Sequence, residues 1–334
     1  MELLLKNVRT IKNELIDKRI PIDQKPEYKE IAIDFTDHFI YPGLTNWHDH
    51  LEMNLYPRLG TPPYNNYTEW MKDIYKPKES PLKEIEKTDI DYRLIWGGLK
   101  NLISGVTTVY HHNPTKRVNR KDSFPVFVPK IEWAHSLSVD KKFRFKSNRP
   151  FVIHAAEGVD EFARKEISKL NELRLLRHNT MIVHAIAAGD AEWDLIASKG
   201  ASVVWCPSSN LYMFNKTADV KNRKNVFLGT DSTLTGSPTL LDEMRVAARF
   251  ISKEKIFEMV RGEGFFVARK IESDPLENLF KLQPKDIVMV ISRGKIRLQD
   301  GKPVGIDVDK IKRHFEKKVG RKILEANPLW TMIS

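Results

Sequence analysis

The chain has 334 residues, 41% of them hydrophobic and 10% aromatic, a formal charge of +11 and a single cysteine, Cys206. That length and apolar content describe one large packed α/β domain or two ordinary ones rather than a disordered chain, and one cysteine excludes an internal disulfide. The basic residues are interleaved with acids and carry no Arg/aromatic motif, and no stretch nears the roughly 20 apolar residues of a membrane span, so neither nucleic acid nor membrane is expected as a partner.

Residues 1–40 read as short strands, Leu3-Leu4-Leu5 and Ile31-Ala32-Ile33, punctuated by Pro21 and Pro26. From residue 41 the pattern becomes strand, loop, helix, repeated. Strands are predicted at 43–46, 106–110, 126–128, 151–153, 181–183, 202–205 and 226–228, each a short apolar run without alternation, as in strands buried on both faces of a parallel sheet. Helices are predicted at 81–103, 160–176, 191–198 (with Asp190 as N-cap), 240–250 and 253–268. An eighth strand must fall near 132–150, where the apolar signal is poor. The whole is α/β, a somewhat abbreviated (β/α)8 TIM-like barrel over 41–282. Residues 286–291 and 296–298, joined by Ser292-Arg293-Gly294-Lys295, form a hairpin. With residues 1–40, the segment 283–307 is expected to build a small β-sandwich module from both chain ends, and 308–334 to be a helical tail.

Four stretches place His or Asp where an apolar strand stops: Trp47-His48-Asp49-His50, Ile153-His154-Ala155-Ala156-Glu157, Val183-His184 and Gly229-Thr230-Asp231. Alternate residues of a strand share a side, so His48 and His50 reach one ion while Asp49 faces away. Imidazole nitrogen and carboxylate oxygen are ligands for zinc and similar divalent ions. Taken singly, each has an ordinary alternative: a hydrogen-bonded strand-end histidine, a helix-start glutamate at Glu157, or a helix cap at Asp231. A buried Asp231 costs several kcal/mol unless it meets a cation or several donors. At the carboxyl ends of barrel strands all these residues would meet, and jointly they indicate a metal site.

Pro42-Gly43-Leu44-Thr45-Asn46-Trp47-His48-Asp49-His50, Gly105-Val106-Thr107-Thr108-Val109, His154-Ala155-Ala156-Glu157-Gly158, Val183-His184, Cys206-Pro207-Ser208-Ser209-Asn210 and Leu228-Gly229-Thr230-Asp231-Ser232 together resemble the amidohydrolase superfamily. Within it they resemble the branch of cytosine and guanine deaminases, triazine hydrolases and imidazolonepropionase. The resemblance implies one divalent metal, zinc first with iron or manganese as alternatives, held by His48, His50, His154 and Asp231. It implies that Glu157, His184 and Asp231 act in hydrolysis of a non-peptide C–N bond, as deamination of a nitrogen heterocycle or ring opening of a cyclic amide. No lysine suited to bridging two metals is evident, and the segment from 110 to 150 is short for this branch. Arg58, Tyr64 and Trp70 in the loop after His50, with His111 and His112 after the second strand, are the expected contacts of a small-molecule substrate. Cys206 reads as a core thiol. The expected compartment is the cytoplasm, and a homo-oligomer is left open.

Overall fold

A computed structural model describes residues 2–23, 30–143 and 148–333; Pro26 lies outside them. Its strands are β1 (Glu2–Arg9), β2 (Leu15–Pro21), β3 (Glu30–Asp34), β4 (His38–Asp49), β5 (Val106–His111), β6 (Glu132–Ser136), β7 (Phe151–Ala155), β8 (Thr180–His184), β9 (Ser202–Trp205), β10 (Val226–Leu228), β11 (Arg261–Arg269), β12 (Ile287–Ser292), β13 (Lys295–Gln299) and β14 (Lys302–Pro303).

β4 is the organising strand. Its first half pairs antiparallel with β11, Tyr41 opposite Phe266, and its second half pairs parallel with β5, Leu44 opposite Val106. The sheet of the chain termini, in the order β14-β13-β12-β11-β4-β1-β2 with β3 on β1, therefore runs directly into the strand that carries His48 and His50. A second sheet, β10-β9-β8-β7-β6, is wholly parallel. The two sheets meet where the Asp231 N–H, just beyond β10, donates to the His48 carbonyl at 3.1 Å.

Several expectations are corrected. Residues 126–128 form no strand; Phe127 makes a single parallel bridge to Thr108, because Pro125 and Pro129 flank it and cannot extend a ladder. β6 supplies a strand in the region of poor signal, masked in sequence by Glu132 and His135. The helix expected over 253–268 stops at Val260 and β11 takes over. Gly262 permits this, since a Cβ there would lie 2.2 Å from Thr45 Oγ1. The helix over 81–103 is broken, and Asp89 caps its main part, Ile90–Leu102, by accepting from the Asp91 N–H. Gly189, not Asp190, precedes helix Asp190–Ser198, and Thr239 caps Leu240–Ala247.

The main apolar core runs between the helices and both sheets, with Trp96 packed against Phe315 and Trp330 of the C-terminal helices. A separate cluster, including Leu3, Leu5, Ile40, Val267 and Ile291, fills the terminal sheet. Each such fully buried side chain contributes about 1.5–3 kcal/mol. The C-terminal segment also reaches the functional rim: Asn327 Nδ2 donates to the carbonyls of Asn54 and Tyr56, both at 2.9 Å, and so fastens the loop that follows His50. No helix among the described residues is long and apolar enough to cross a membrane.

Candidate metal centre

The carboxyl ends of β4, β7, β8 and β10 converge. His48 near the end of β4 and His50, one residue past it, both reach the centre, whereas the Asp49 carboxylate is bonded to Asn54 and Asn101 on the other side. His154 Nε2 lies 3.2 Å from His48 Nε2 and 3.4 Å from His50 Nε2. Asp231 Oδ1 is 3.7 Å from His48 Nε2 and 3.8 Å from His50 Nε2. Ligands about 2.0–2.1 Å from one tetrahedral ion stand about 3.3 Å apart, so these imidazole spacings fit a shared divalent ion.

Protonation agrees with that donor set. Burial, followed by the neighbouring histidines, pushes His48 and His154 well below the ordinary histidine range, leaving lone pairs at the centre. With the His154 Nδ1–H donated to the His135 carbonyl at 2.7 Å, its Nε2 is the free lone pair. Burial alone would raise Asp231, but His50, His184, the Ser209 hydroxyl and the Ser232 N–H hold it below its usual value. Asp231 Oδ2 accepts from Ser209 (2.9 Å) and Thr235 (3.0 Å), which leaves Oδ1 directed at the histidines.

Two of these residues have left-handed backbones that side chains normally avoid: His184 at φ +74° and Asp231 at φ +57°; Ala156 and Ala185 share the feature. Such conformations cost of the order of 1–3 kcal/mol each and persist only where surrounding bonds enforce them. For Asp231 those bonds come from behind. Lys100, completely buried, donates from Nζ to the Asp231 carbonyl (2.9 Å), Thr230 Oγ1 (3.0 Å) and Asn54 Oδ1 (2.9 Å). The Asp49 carboxylate, which accepts from Asn54 and Asn101 at 2.8 Å each, lies 3.2 Å from the same ammonium. Asn46 closes the network by donating to Thr230 Oγ1 at 2.8 Å.

Glu157 and His184 form a second pair, Oε1 to Nε2 at 3.4 Å. The Asn210 amide oxygen, 2.8 Å from His184 Nδ1, requires a proton there, so neutral His184 presents a bare Nε2 to Glu157. Burial, then Asp231 and Glu166, drives the Glu157 carboxyl well above its usual range, while burial lowers His184. Burial thus favours the protonated carboxyl of Glu157 and the neutral imidazole of His184. Glu166 accepts the Ala156 N–H at 2.8 Å and fixes the turn that presents Glu157.

A cavity of about 70 Å³ opens on His50, His154, Glu157, His184 and Asp231, with Tyr67, Trp70, Met71, Met213 and Leu234 among its walls. Of the expected substrate contacts, only Trp70 lines it. Arg58 stacks over Tyr212, 4.7 Å from the ring centroid, and donates to the Gly236 carbonyl. Tyr64 is tied to Asp73 and the Thr61 N–H. His111 is buried beside Glu52, its Nδ1 at 3.4 Å from the Leu51 nitrogen. His112 sits behind the centre, stacked on His154 with centroids 4.3 Å apart and bonded through Nε2 to the Ala134 carbonyl at 2.8 Å. A donor nitrogen of His112 nevertheless lies within 4.8 Å of those of His48, His50 and His154. The loops after these motifs were read by composition, whereas facing the cavity depends on how they fold back. Sequence reasoning missed Lys100, Met71, Met213, Leu234 and Thr235; a lysine amid the apolar residues of 94–103 was the one signal available. Cys206 is buried and its thiol is pushed well up by burial, as a core residue.

No protein-family model matches the chain. A 5-methylthioadenosine/S-adenosylhomocysteine deaminase of Pyrococcus furiosus is 25% identical over 278 residues, covering 66% of this chain and 65% of the relative. The chain thus spans just under two thirds of the length of that relative. Among solved structures, an atrazine chlorohydrolase of Arthrobacter aurescens complexed with zinc superposes with a TM-score of 0.71 at 14% identity, covering 95% of this chain and 100% of the other. An adenosine deaminase of Xanthomonas campestris with bound zinc gives 0.68 at 15% identity, covering 97% and 98%. At these identities the superpositions speak for the fold, which is TIM-barrel-like.

Proposed function

We propose that the chain is a member of the amidohydrolase superfamily, on its deaminase-like side, and a metal-dependent hydrolase that deaminates a nitrogen heterocycle. The observation that carries this is the convergence of His48, His50 and His154 on the Asp231 carboxylate, with His50, His154, Asp231 and Glu157 opening on one cavity.

His48, His50, His154 and Asp231 would hold the ion, zinc by preference for such nitrogen-rich donors. When bound, a divalent ion supplies a Lewis acid and a water acidic enough to ionise near neutral pH. Asp231 Oδ1 accepts the proton of the attacking water, while Ser209 and Thr235 keep its carboxylate from rotating away. Glu157, neutral because it is buried, carries the proton that a departing nitrogen needs. His184 cannot donate to substrate in its resting tautomer, because Asn210 claims its only N–H. Its bare Nε2 faces the Glu157 carboxyl across the 3.4 Å gap, so it orients that acid toward the departing nitrogen. This alters the role expected for it from sequence: His184 positions the Glu157 acid instead of polarising the substrate.

The test is metal analysis of the purified protein followed by ammonia release from a library of aminated heterocycles and cyclic amides. About one equivalent of divalent metal with ammonia release is expected. Ring opening without ammonia would move the reaction to cyclic amides, and absence of metal with no activity on adding it would end the hydrolytic reading.

A further inference from the structure

We propose that the substrate heterocycle carries a neutral apolar arm, held in a second chamber beside the metal centre. This rests on the hydrolytic reading above. The chamber has a volume of about 490 Å³ and shares Met53, Trp70, Met71, His135 and Leu234 with the metal-site cavity. A ring seated against the histidines and Asp231 can therefore extend past these side chains into the larger space. Two of the five are methionines, whose unbranched side chains adapt to the group passing between them.

The far walls are apolar, formed by Tyr56, Leu59, Ile74 and Leu82. Trp70, Met71 and Ile74 come from one side of helix Tyr67–Ile74 and remain only partly buried, since no other part of the described chain fills the chamber. A concave space of this size with incompletely covered apolar walls is what a ligand needs.

The polar groups decide what kind of arm fits. Glu52 and Glu86 face a single cation, Arg93, so the lining is net negative and disfavours a carboxylate-bearing tail. Arg93 Nη1 donates to the Tyr56 hydroxyl at 3.3 Å, whereas its Nε is buried with no acceptor.

Calorimetry on the zinc-loaded protein tests this with aminopurines and aminopyrimidines in three forms: bare, benzyl-substituted and carboxyalkyl-substituted on ring nitrogen. Burying an aryl arm predicts at least about tenfold tighter binding of the benzyl form than of the bare ring, and no gain for the carboxyalkyl form. Ile74→Trp fills the chamber without touching the metal residues and should reduce the benzyl form to the affinity of the bare ring. Leu59→Phe serves the same purpose should Ile74→Trp fail to fold. Equal affinities for all three forms, or a benzyl preference that survives filling of the chamber, would overturn the proposal. Ammonia release is scored on the same samples: tight benzyl binding without it would remove the hydrolytic reading and leave the chamber standing.

Discussion

Asp49 and Lys100 form an ion pair at 3.2 Å in complete burial, directly behind the residues that face the cavity. Asp49 is the residue between His48 and His50, and Lys100 holds the Asp231 carbonyl, so one charge pair braces both walls of the centre. Buried pairs of this kind add little net stability over an apolar substitute, but breaking one leaves an uncompensated charge.

Lys100→Met should therefore cost about 3–5 kcal/mol of folding stability, read by urea denaturation, because the Asp49 carboxylate is left buried and unpaired. Asp49→Leu combined with Lys100→Met should be less damaging than Lys100→Met alone. A double variant no more stable than the single one would show that the pair is not what holds this region.

Asp231→Asn keeps the shape of the side chain and its hydroxyl partners but cannot accept a proton. Activity should fall by a factor of about 10²–10⁴, the usual contribution of a positioned base, with an unchanged circular dichroism spectrum. A drop of less than tenfold would assign the base elsewhere.

Chelation should abolish activity and lower the melting temperature, since an ion that binds only the folded chain stabilises it by about 2.7 kcal/mol at a hundred times its Kd. His154→Ala should remove the response of the melting temperature to added zinc. An unaltered response would exclude His154 from the ligands.

Glu243 offers a pH signature away from the centre. Burial raises its carboxyl from the usual 4.5 to about 7, although it accepts the Ser208 N–H at 2.9 Å. Folded chains thus keep a proton that unfolded chains lose, so stability is greatest below pH 4.5 for this group and falls as the pH rises to about 7. Glu243→Gln should flatten that part of the stability–pH curve; a curve of unchanged slope would show that Glu243 is ionised in the folded protein.

Much of the fold was legible because its signals are local. Short unalternating apolar runs marked β5, β7, β8, β9 and β10, and alternation alone separated His48 and His50 from Asp49. Residues 126–128 were misread because an apolar run does not reveal whether flanking prolines leave it a partner, and β6 was hidden by its own polar side chains. β11 was taken for helix because the pairing that extends it comes from β4, more than 200 residues earlier in the chain.

At the candidate site the division is the same. The amino-acid order by itself determined which chemistry-bearing residues stand at strand ends, since strand period and apolar runs are properties of neighbours in the chain. Only the tertiary structure decided the left-handed turns at His184 and Asp231, the pairing of Glu157 with His184, and the bracing by Lys100. Each depends on a partner distant in sequence, and burial makes the absence of that partner costly.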